Sequence, residues 1–401
     1  MKVIIIGQGY VGLTIAFYAS ENFEVIGFDT NTNIVKSLNQ GISHIEGIDS
    51  DQLADKVKQR KYRATSSAQD IIDADLIVIA VPTPLTNDRK PDLSFIESAC
   101  RLIGENVEKS TLVINESTSY PGTLRQFIKP TIEKFSKKKI DHLYAISPER
   151  VDPGRTDFNQ RNTPRLYAGL TVDASRKTFD FYSKFCDNLI EVSSPEVAEA
   201  AKLFENTFRQ VNIALVNEFA QIAHKLGISV YETIDAANSK PYGFMKFSPS
   251  AGVGGHCIPV DPTYLAAVAE KHGVPATFIR RANVVNLEMS RYVVDRVKAD
   301  NGGSIRGKYV LVVGVAYKPD VADVRETAAE LVIEHLRNEG AVVSWHDDVV
   351  GNWNGENSAQ LNGADITIVV TKHSSVDSKR ILESAPYVFD ATGKVQGAKG
   401  L

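Results

Sequence analysis

Short apolar runs alternate with helix-spaced apolar positions along the first part of this chain. The runs at residues 2–6, 75–81, 111–115 and 144–146 are short and apolar, and each leads into a polar, proline-containing or glycine-rich turn. Alternation of this kind predicts strands and helices that build a doubly wound, mainly parallel α/β sheet. Ligands of such sheets bind at the carboxyl ends of the strands, so functional residues are expected in these turns.

The middle of the chain predicts one long helix. Apolar residues recur at helical spacing from Pro195 to Leu226, and Gly227 is a suitable end. A helix longer than most in globular proteins, with a broad apolar face, often packs across domains or subunits. Lys202 and Asn206 are four residues apart and therefore share one face of the helix. That polar face is either functional or simply exposed to solvent.

The last part of the chain repeats a strand-turn-helix-strand pattern. Strands are predicted at 309–314, 341–347 and 364–370, and a helix at 328–336. The pattern weakly echoes the start of the chain but lacks GxGxxG, so we expect a second Rossmann-like domain that binds a different nucleotide. Residues 301–304, Asn-Gly-Gly-Ser, are interpreted as the linker before it.

Length and composition set the domain organisation and the class of protein. A chain of 401 residues exceeds one ordinary core. We expect a Rossmann domain at 1–194, a central helical domain at 195–300 and a Rossmann-like domain at 301–401. The net charge of -4 is small, so no large basic surface that could bind nucleic acid is expected. Three cysteines, no apparent signal peptide and no apolar run of membrane-spanning length predict a cytoplasmic protein without a membrane partner.

The first strand leads directly into a glycine fingerprint, Gly7-Gln8-Gly9-Tyr10-Val11-Gly12. Glycines there permit a tight turn and close approach of a pyrophosphate to the start of the next helix. Asp29 ends the second strand, where an acid can bind both ribose hydroxyls and repel a 2′-phosphate. The fingerprint therefore predicts NAD rather than NADP, although Asp29 could also be an ordinary surface strand end.

Three polar residues lie just past strands, on the side where a nicotinamide would bind. They are Thr83, Thr118 and Glu149. Any of them could be turn chemistry alone, Thr83 most readily.

Cys257 follows a glycine-rich turn, Gly252-Val253-Gly254-Gly255, and precedes Asp261 by four residues. Such a thiol is either a small buried hydrophobe or a nucleophile that substrate can reach. The neighbouring glycines, Asp261 and Lys202 favour the nucleophile. Cys100 and Cys186 lie in apolar segments and are expected in the core. His256 has no second His or Cys at ligand spacing, so no metal site is expected.

Seven motifs, in order, resemble the UDP-glucose/GDP-mannose 6-dehydrogenase family of nucleotide-sugar dehydrogenases. The resemblance runs from Gly7 to roughly Val370, and its motifs are GQGYVG, VPTP, ESTSYPGT, SPERVDPG, EAAKLFENTFR, GVGGHCIPVDP and GVAYKPDVADVRE. Residues 240–247 and the motifs around Glu149 and Cys257 look most like the UDP-N-acetylglucosamine 6-dehydrogenase branch.

The resemblance implies an NAD-dependent, four-electron oxidation of a UDP-hexose C6 alcohol to a carboxylate, which supplies surface polysaccharide synthesis. A thiolate that captures the aldehyde gives a thiohemiacetal, which can lose a second hydride and become a thioester. The catalytic residues implied are Cys257 as nucleophile, Lys202 for oxyanions, Asp261 for protons, Asn206 and Thr118 as hydrogen-bonding partners, and Glu149 for the hydrolytic water.

The resemblance also implies the binding residues and a homodimer built through the long helix. Those for NAD are Gly7, Gly9, Tyr10, Val11, Gly12, Asp29, Thr83, Thr118 and Arg325, the last at the pyrophosphate. Those for the UDP-sugar are Glu149, Arg150, Lys202, Asn206, Phe247, Ser248, Gly255 and Lys318, and residues 301–401 are implied to form the UDP-sugar-binding domain.

Departures from the family pattern leave the sugar open. Ser250 and Ala251 replace Gly and Pro, which predicts a less rigid loop, and no arginine stands near Tyr242. Lys394 stands where an arginine often follows the Asp390 position. UDP-glucose and UDP-N-acetylmannosamine are alternative substrates. A two-electron dehydrogenase with no use for Cys257 and a catalytically idle nucleotide-sugar-binding protein are alternative functions.

Overall fold

The computed structural model describes residues 1–45, 47–152, 157–255 and 257–401. The chain forms two compact units. Unit 1 comprises Met1–Glu205 with Ala267–Gly273, and unit 2 comprises Asn206–Ala266 with Val274–Leu401. The division into three domains at 194/195 and 300/301 stays a prediction.

Unit 1 contains an eight-stranded sheet with β1 near its centre. Its strand order is β3-β2-β1-β4-β5-β6-β7-β8; the first six strands are parallel, β7 is antiparallel to β6, and β8 is parallel to β7. The order of the six parallel strands is that of dinucleotide-binding sheets. The strands are β1 (Lys2–Ile6), β2 (Glu24–Phe28), β3 (Tyr62–Thr65), β4 (Leu76–Ile79), β5 (Leu112–Asn115), β6 (Leu143–Ile146), β7 (Arg165–Gly169) and β8 (Leu189–Glu191).

Helices cover both faces of this sheet. Because successive strand residues point to opposite faces, Val3 and Ile5 pack in one core and Ile4 and Ile6 in the other. The predicted doubly wound sheet is therefore confirmed. The helices are α1 (Tyr10–Ala19), α2 (Thr32–Asn39), α3 (Ser50–Lys58), α4 (Ser94–Asn106), α5 (Lys129–Phe135) and α6 (Val172–Tyr182), with a 3₁₀ turn at Ala68–Ile71 and a π-helical turn at Leu124–Ile128.

The long predicted helix is present as α7 (Pro195–Leu226), and residues from both units belong to it. Gly227 ends it with φ +69°, a left-handed conformation that suits glycine. Within unit 2, the buried Asn286 accepts from Asn217 at 2.9 Å and donates to the Gln210 carbonyl at 3.1 Å, which ties α7 to α10. The helices that follow α7 are α8 (Val230–Asn238), α9 (Asp261–Lys271) and α10 (Thr277–Asp300).

A second parallel sheet in unit 2 confirms the predicted Rossmann-like ending. Its order is β10-β9-β13-β14-β15, and Val310 and Val312 pack in one core while Leu311 and Val313 pack in the other. No helix in the described ranges is long and apolar enough to span a membrane. The elements are β9 (Tyr309–Val313), α11 (Ala328–Asn338), β10 (Val342–His346), β11 (Asn352–Trp353), β12 (Glu356–Asn357), β13 (Ile366–Val369), α12 (Ser378–Glu383), β14 (Tyr387–Asp390) and β15 (Lys399–Gly400).

Candidate active site

The glycine fingerprint forms the turn between β1 and α1. Gly7 has φ +91°, and a Cβ there would lie 2.4 Å from the Ala80 carbonyl oxygen. A Cβ on Gly12 would lie 1.8 Å from the Gly7 carbonyl oxygen, whereas one on Gly9 would meet nothing within 4 Å. Gly7 and Gly12 are thus needed for packing, and Gly9 leaves open space at the start of α1, where no side chain among the described residues caps the helix. Uncapped helix N–H groups with open space before them suit a phosphate.

Asp29 ends β2 beside this turn. One of its carboxylate oxygens accepts from the Gln8 backbone N–H at 2.8 Å and the other from that of Asn31 at 2.8 Å. Gln8 is itself buried and fixed, since its amide donates to the Ile5 carbonyl at 2.9 Å and accepts from Tyr62 at 2.8 Å. The acid is therefore held in one position next to the glycine turn, as a ribose-binding carboxylate requires.

Thr83 and Thr118 are half-buried and follow β4 and β5. The two loops are joined by Ser117, whose hydroxyl accepts from the Val81 N–H at 2.9 Å and donates to the Val81 carbonyl at 2.8 Å. Sequence reasoning missed Ser117, because a serine in a Ser/Thr-rich turn has no local signal of such a role.

A buried glutamate of α7 fixes the second of these loops. Glu199 accepts from the backbone N–H groups of Gly122 at 2.6 Å and Leu124 at 3.0 Å, and lies 3.4 Å from the Ser119 hydroxyl. Burial raises the pKa of Glu199 to about 7, although these donors act in the opposite direction. Sequence reasoning missed it; the available signal was an acid at an apolar position of the helix.

Glu149 follows β6 and is almost fully buried. Its Oε1 accepts from the N–H groups of Arg150 at 2.6 Å and Val151 at 2.7 Å, and its Oε2 accepts from Arg165 at 2.8 Å. Burial alone would raise the pKa of Glu149, but Arg165, these N–H groups and Lys202 hold it below its usual value. The carboxylate is thus ionised and fixed at both oxygens.

Arg150 and Lys202 lie near Glu149 in unit 1. The Arg150 guanidinium donates to both carboxylate oxygens of Glu205, at 2.6 and 3.2 Å, and to the Pro164 carbonyl at 2.7 Å. Lys202 is half-buried on α7 and contributes to the electrostatic stabilisation of the Glu149 carboxylate. The structure therefore places Glu149, Arg150 and Lys202 near one another, and their shared role in one site stays a prediction.

Cys257, Asn206 and Asp261 are brought together in unit 2. Asp261 begins α9 and is 2% exposed; its Oδ2 accepts from the Asn206 amide at 2.5 Å. The Asp261 N–H donates to the Cys257 carbonyl at 2.8 Å, which places the cysteine one turn before the helix N-terminus. Cys257 is partly exposed, whereas Cys100 and Cys186 are buried as predicted. A reachable thiol at a helix start, beside a fixed acid, is an arrangement suited to nucleophilic chemistry.

The glycines before Cys257 pack against the turn after β9. A Cβ on Gly255 would lie 2.8 Å from the Tyr317 ring, and one on Gly254 would lie 2.7 Å from the Tyr317 Cβ. The Gly255 N–H donates to the Arg325 carbonyl at 3.0 Å. The two glycines thus allow the chain before Cys257 to pack closely against Tyr317. This contact joins the GVGGHCIPVDP and GVAYKPDVADVRE motifs, which are distant in sequence.

Arg325 and Lys318 lie in that same turn region of unit 2. Arg325 forks onto Asp323, with its Nε 2.9 Å from Oδ1 and its Nη2 2.5 Å from Oδ2. Asp323 raises the pKa of Arg325, and Cys257 and Tyr317 add to the effect. Lys318 is half-buried, and its ammonium lies 5.6 Å from the centre of the Tyr317 ring. Arg325 therefore contributes positive charge to the surroundings of Cys257.

A network that sequence reasoning missed fixes the Lys318 turn. Asp320 has φ +62°; its N–H donates to His373 Nδ1 at 2.8 Å, and its carboxylate accepts from the Ser374 hydroxyl at 2.9 Å. His373 Nε2 lies 3.0 Å from Asp347, which also accepts the Val315 N–H at 2.8 Å. Burial acts to raise the pKa of Asp347, but hydrogen bonds from His373 and from the N–H groups of Val350, Val349 and Ala316 lower it to about 2. Asp347 directly follows β10 just as Asp29 directly follows β2. The two aspartates thus occupy equivalent places in their sheets, but their hydrogen-bond partners differ.

The loop from Phe247 to Ala251 is held by contacts that were not expected from the replacement of Gly and Pro by Ser250 and Ala251. The Ser250 N–H donates to the Asn217 side-chain oxygen at 2.9 Å, and the Ser250 hydroxyl donates to the Gly252 carbonyl at 2.7 Å. Ala251 is buried, and the Phe247 ring lies 6.0 Å from that of Phe208. These contacts hold the loop where Gly and Pro are replaced. Ser248, Tyr242 and Lys394 are exposed.

No cluster of His, Cys, Asp and Glu in the described part of the chain could hold a metal ion. His256, considered above as a ligand, lies outside the described residues.

Comparison with known proteins covers nearly all of the chain. Models of the UDP-glucose/GDP-mannose dehydrogenase family match in three segments: the NAD binding domain at residues 1–185, the central domain at 196–288 and the UDP binding domain at 311–396. UDP-N-acetyl-D-mannosamine dehydrogenase of Pyrococcus horikoshii is 34% identical over 386 residues, 94% of this chain and 91% of the relative.

Two further comparisons agree. UDP-N-acetyl-D-glucosamine 6-dehydrogenase of Pseudomonas aeruginosa is 34% identical over 342 residues, 84% of this chain and 80% of the relative. The solved structure of a UDP-D-ManNAc dehydrogenase from Pyrococcus horikoshii superposes with a TM-score of 0.90 at 31% identity, covering 100% of this chain and 99% of that one.

Proposed function

Because this chain belongs to the UDP-glucose/GDP-mannose dehydrogenase family, we propose that it oxidises the C6 hydroxyl of UDP-N-acetylglucosamine to the carboxylate. The family, the α/β fold and NAD as cofactor are confirmed predictions, and the protein is an NAD-dependent UDP-sugar dehydrogenase. The sugar is the open part of the proposal, since relatives of equal identity are named for N-acetylglucosamine and N-acetylmannosamine. The proposed role is to supply a surface polysaccharide precursor.

The observation that carries the proposal is the partly exposed Cys257 beside the fixed Asn206–Asp261 pair. Oxidation past an aldehyde requires an adduct that still has a hydride to lose. The Cys257 thiolate adds to the aldehyde carbon, and the resulting thiohemiacetal loses hydride to become a thioester. Water then cleaves the C–S bond, which releases the carboxylate and restores the thiol. NAD⁺, when bound, accepts one hydride in each of the two oxidations.

The remaining assignments follow the charge and hydrogen bonding of each residue. Asp261, with one oxygen on the Asn206 amide, takes and returns protons, and the Lys202 ammonium stabilises oxyanions. Glu149 is ionised and accepts a hydrogen bond from the hydrolytic water. The Thr118 hydroxyl is a further hydrogen-bonding partner of the oxyanion and of the water.

Binding roles are proposed on the same basis. The uncapped start of α1 and the fixed Asp29 carboxylate fit a dinucleotide. Residues assigned to NAD are Gly7, Gly9, Tyr10, Val11, Gly12, Asp29, Thr83, Thr118 and Arg325, and those assigned to the UDP-sugar are Glu149, Arg150, Lys202, Asn206, Phe247, Ser248, Gly255 and Lys318.

The test is turnover of UDP-glucose, UDP-N-acetylglucosamine and UDP-N-acetylmannosamine side by side, with NADH counted against sugar consumed. UDP-N-acetylglucosamine should give the highest kcat/KM and about two NADH per sugar, because the thiol carries oxidation past the aldehyde. Cys257→Ala should give no more than about one NADH per sugar, whereas the buried control Cys100→Ala should keep about two. Binding without turnover would favour the idle-protein alternative, and full turnover by Cys257→Ala would favour the two-electron one.

We further propose a homodimer built on α7. Exposed apolar side chains recur along this helix every three to four residues or multiples of that spacing, as in helix pairing seams. Those that the structure leaves exposed are Val197, Phe204, Phe208, Leu215, Ile222 and Leu226. A charge placed in this stripe should separate the subunits. Leu215→Glu should sediment as a monomer while Val172→Glu, a still more exposed apolar control on α6, should not; a monomeric parent protein would overturn the proposal.

A further inference from the structure

Three charged side chains lie buried together behind the Glu149 carboxylate. Arg165 is 3% exposed, Glu116 is 2% and Glu149 is 8%. We propose that Arg165 is a positioning residue that keeps Glu149 ionised and fixed, while the second carboxylate of the cluster, Glu116, carries the proton. The inference rests on the function proposed above, in which Glu149 assists hydrolysis of the thioester.

The arginine binds both acids through different nitrogens. Its Nη2 donates to Glu149 Oε2 at 2.8 Å, and its Nη1 lies 2.8 Å from Glu116 Oε2. Nη1 also donates to the Ser147 hydroxyl at 3.0 Å. The Tyr182 ring covers the guanidinium at 4.6 Å from its carbon, and its hydroxyl donates to Glu116 Oε1. Each member is thus held by a partner on another element of unit 1.

The charges of this cluster do not balance when both acids are ionised. One guanidinium against two carboxylates leaves an excess negative charge in a buried position, which is unfavourable unless a proton is taken up. The proton should reside on the acid with the weaker support. Glu149 has the two backbone N–H groups and the positive field of Lys202, and its pKa is lowered. Glu116 has mainly Arg165 and Tyr182, and burial raises its pKa to about 7.

The other polar and titratable groups around the cluster agree with this assignment. Burial raises the pKa of the Cys186 thiol to about 11, so it adds no charge. The Tyr182 pKa is raised well above its usual value, so the phenol remains a donor. The amide of Gln160 lies between Arg165 and Glu149, and the orientation that satisfies both its atoms is the one in which its nitrogen donates to Glu149 Oε2 at 3.1 Å. Arg150 is paired with Glu205. Arg165 is therefore the cation that both buried acids share.

Lysine at position 165 would test this sharing. Its ammonium is a single point charge and cannot reproduce a planar fork that reaches two carboxylates through separate nitrogens. In Arg165→Lys the Glu149 carboxylate loses the guanidinium hydrogen bond at its Oε2, so the pKa of Glu149 should rise. Glu116→Gln is the matched control, because its amide resembles the protonated carboxyl and leaves Arg165 wholly to Glu149.

Infrared titration of the carboxyl band, read with pH profiles of kcat, distinguishes the possibilities. Measured in a Glu199→Gln background, which removes the other carboxyl whose pKa burial raises to about 7, the protein should show a buried protonated carboxyl that titrates near pH 7 and disappears when Glu116→Gln is added. Arg165→Lys should show an additional protonated carboxyl at neutral pH, lost again on adding Glu149→Gln. Its acid limb of kcat should move up by about one pH unit or more, with kcat about ten- to a hundredfold lower. Glu116→Gln should change kcat less than about threefold.

Three results would separate the claims. Lower thermal stability of Arg165→Lys with an unchanged infrared band and acid limb would reduce Arg165 to a structural role and overturn the inference. If Arg165→Lys does not fold, persistence of a neutral-range band after Glu116→Gln is added to the Glu199→Gln background would overturn it instead. Parent-like kcat in Glu149→Gln would refute the proposed hydrolytic role of Glu149, while the infrared titration would still decide whether Arg165 sets its ionisation.

Discussion

Gly255→Ala is expected to damage both the stability of unit 2 and catalysis. Gly255 has φ +83°, where an L-residue costs about 1–2 kcal/mol more than glycine. Its new Cβ would also lie 2.8 and 2.9 Å from two carbons of the buttressing Tyr317 ring, and such overpacking typically costs about 1–3 kcal/mol. The free energy of unfolding should therefore fall by about 2–5 kcal/mol.

Gly303→Ala provides the matched control within the same unit. Gly303 has φ +85°, but a Cβ there meets nothing within 4 Å, so only the conformational cost of about 1–2 kcal/mol applies. The difference between the two variants, about 1–3 kcal/mol, isolates the contact with Tyr317. Denaturant unfolding followed by tryptophan fluorescence is suited to this comparison, because both tryptophans, Trp345 and Trp353, belong to unit 2.

Catalysis gives the second readout. The clash must move either the Tyr317 ring or the chain two residues before Cys257, and a displacement of about 1 Å at a reacting group can cost about a hundredfold in rate. Gly255→Ala should lose kcat to this order while Gly303→Ala retains it. Equal destabilisation of the two variants, or parent kcat in Gly255→Ala, would refute the argument that Tyr317 fixes the approach to the thiol.

Three further predictions concern separate features. Asp29→Ser should raise KM for NAD⁺ about ten- to a hundredfold by removing hydrogen bonds to a charged group, and should reduce the preference for NAD⁺ over NADP⁺. Steady-state kinetics with both cofactors checks this, and an unchanged ratio of kcat/KM for NAD⁺ to that for NADP⁺ would count against the proposed role of Asp29 at the ribose. Iodoacetamide at neutral pH should label Cys257 first, because burial raises the pKa of Cys100 to about 12 and of Cys186 to about 11, and peptide mapping that found either labelled as fast would contradict this. Glu199 has its pKa raised by burial to about 7, so the stability that it contributes is fully present below its unfolded pKa and is lost as pH rises through about 7. Glu199→Gln should therefore flatten the fall of unfolding temperature between about pH 5 and 7, and an unaltered slope would show that Glu199 does not titrate there.

Local pattern was sufficient to predict the long helix and the apolar strands β1, β4, β5, β6, β9, β10 and β13, but not other strands such as β3, β7 and β8. Strand β1 and helix α7 were predicted because apolar periodicity and end signals such as Gly227 are encoded within each segment. The grouping of Asn206, Asp261 and Cys257 followed from motifs rather than from periodicity, and the structure brings these three together.

The supporting polar contacts were not predictable from the same patterns. Glu199 reaches Gly122 and Leu124 across more than seventy residues, and Arg165 reaches Glu116 across almost fifty. In a sequence, such charged residues look like solvated surface, and only the fold shows that they are buried and paired. The exposed or buried state of a charge is a property of the tertiary structure, which propensity and spacing do not contain.

The acids that end β2 and β10 explain why two similar sheets are suited to different ligands. Among the described residues, Asp29 accepts one backbone N–H on each oxygen, from Gln8 and Asn31, so part of its acceptor capacity remains for ribose hydroxyls.

Asp347 has no such capacity. It accepts from the N–H groups of Val315, Ala316, Val349 and Val350 and pairs with His373, and five donors fill the four lone-pair positions of a carboxylate. The acid of the second sheet is consequently committed to holding the turn that leads to Lys318 and Arg325. An acid that is fully occupied by the protein's own backbone and His373 is not available for ribose hydroxyls, although it stands at the same place in its sheet as Asp29.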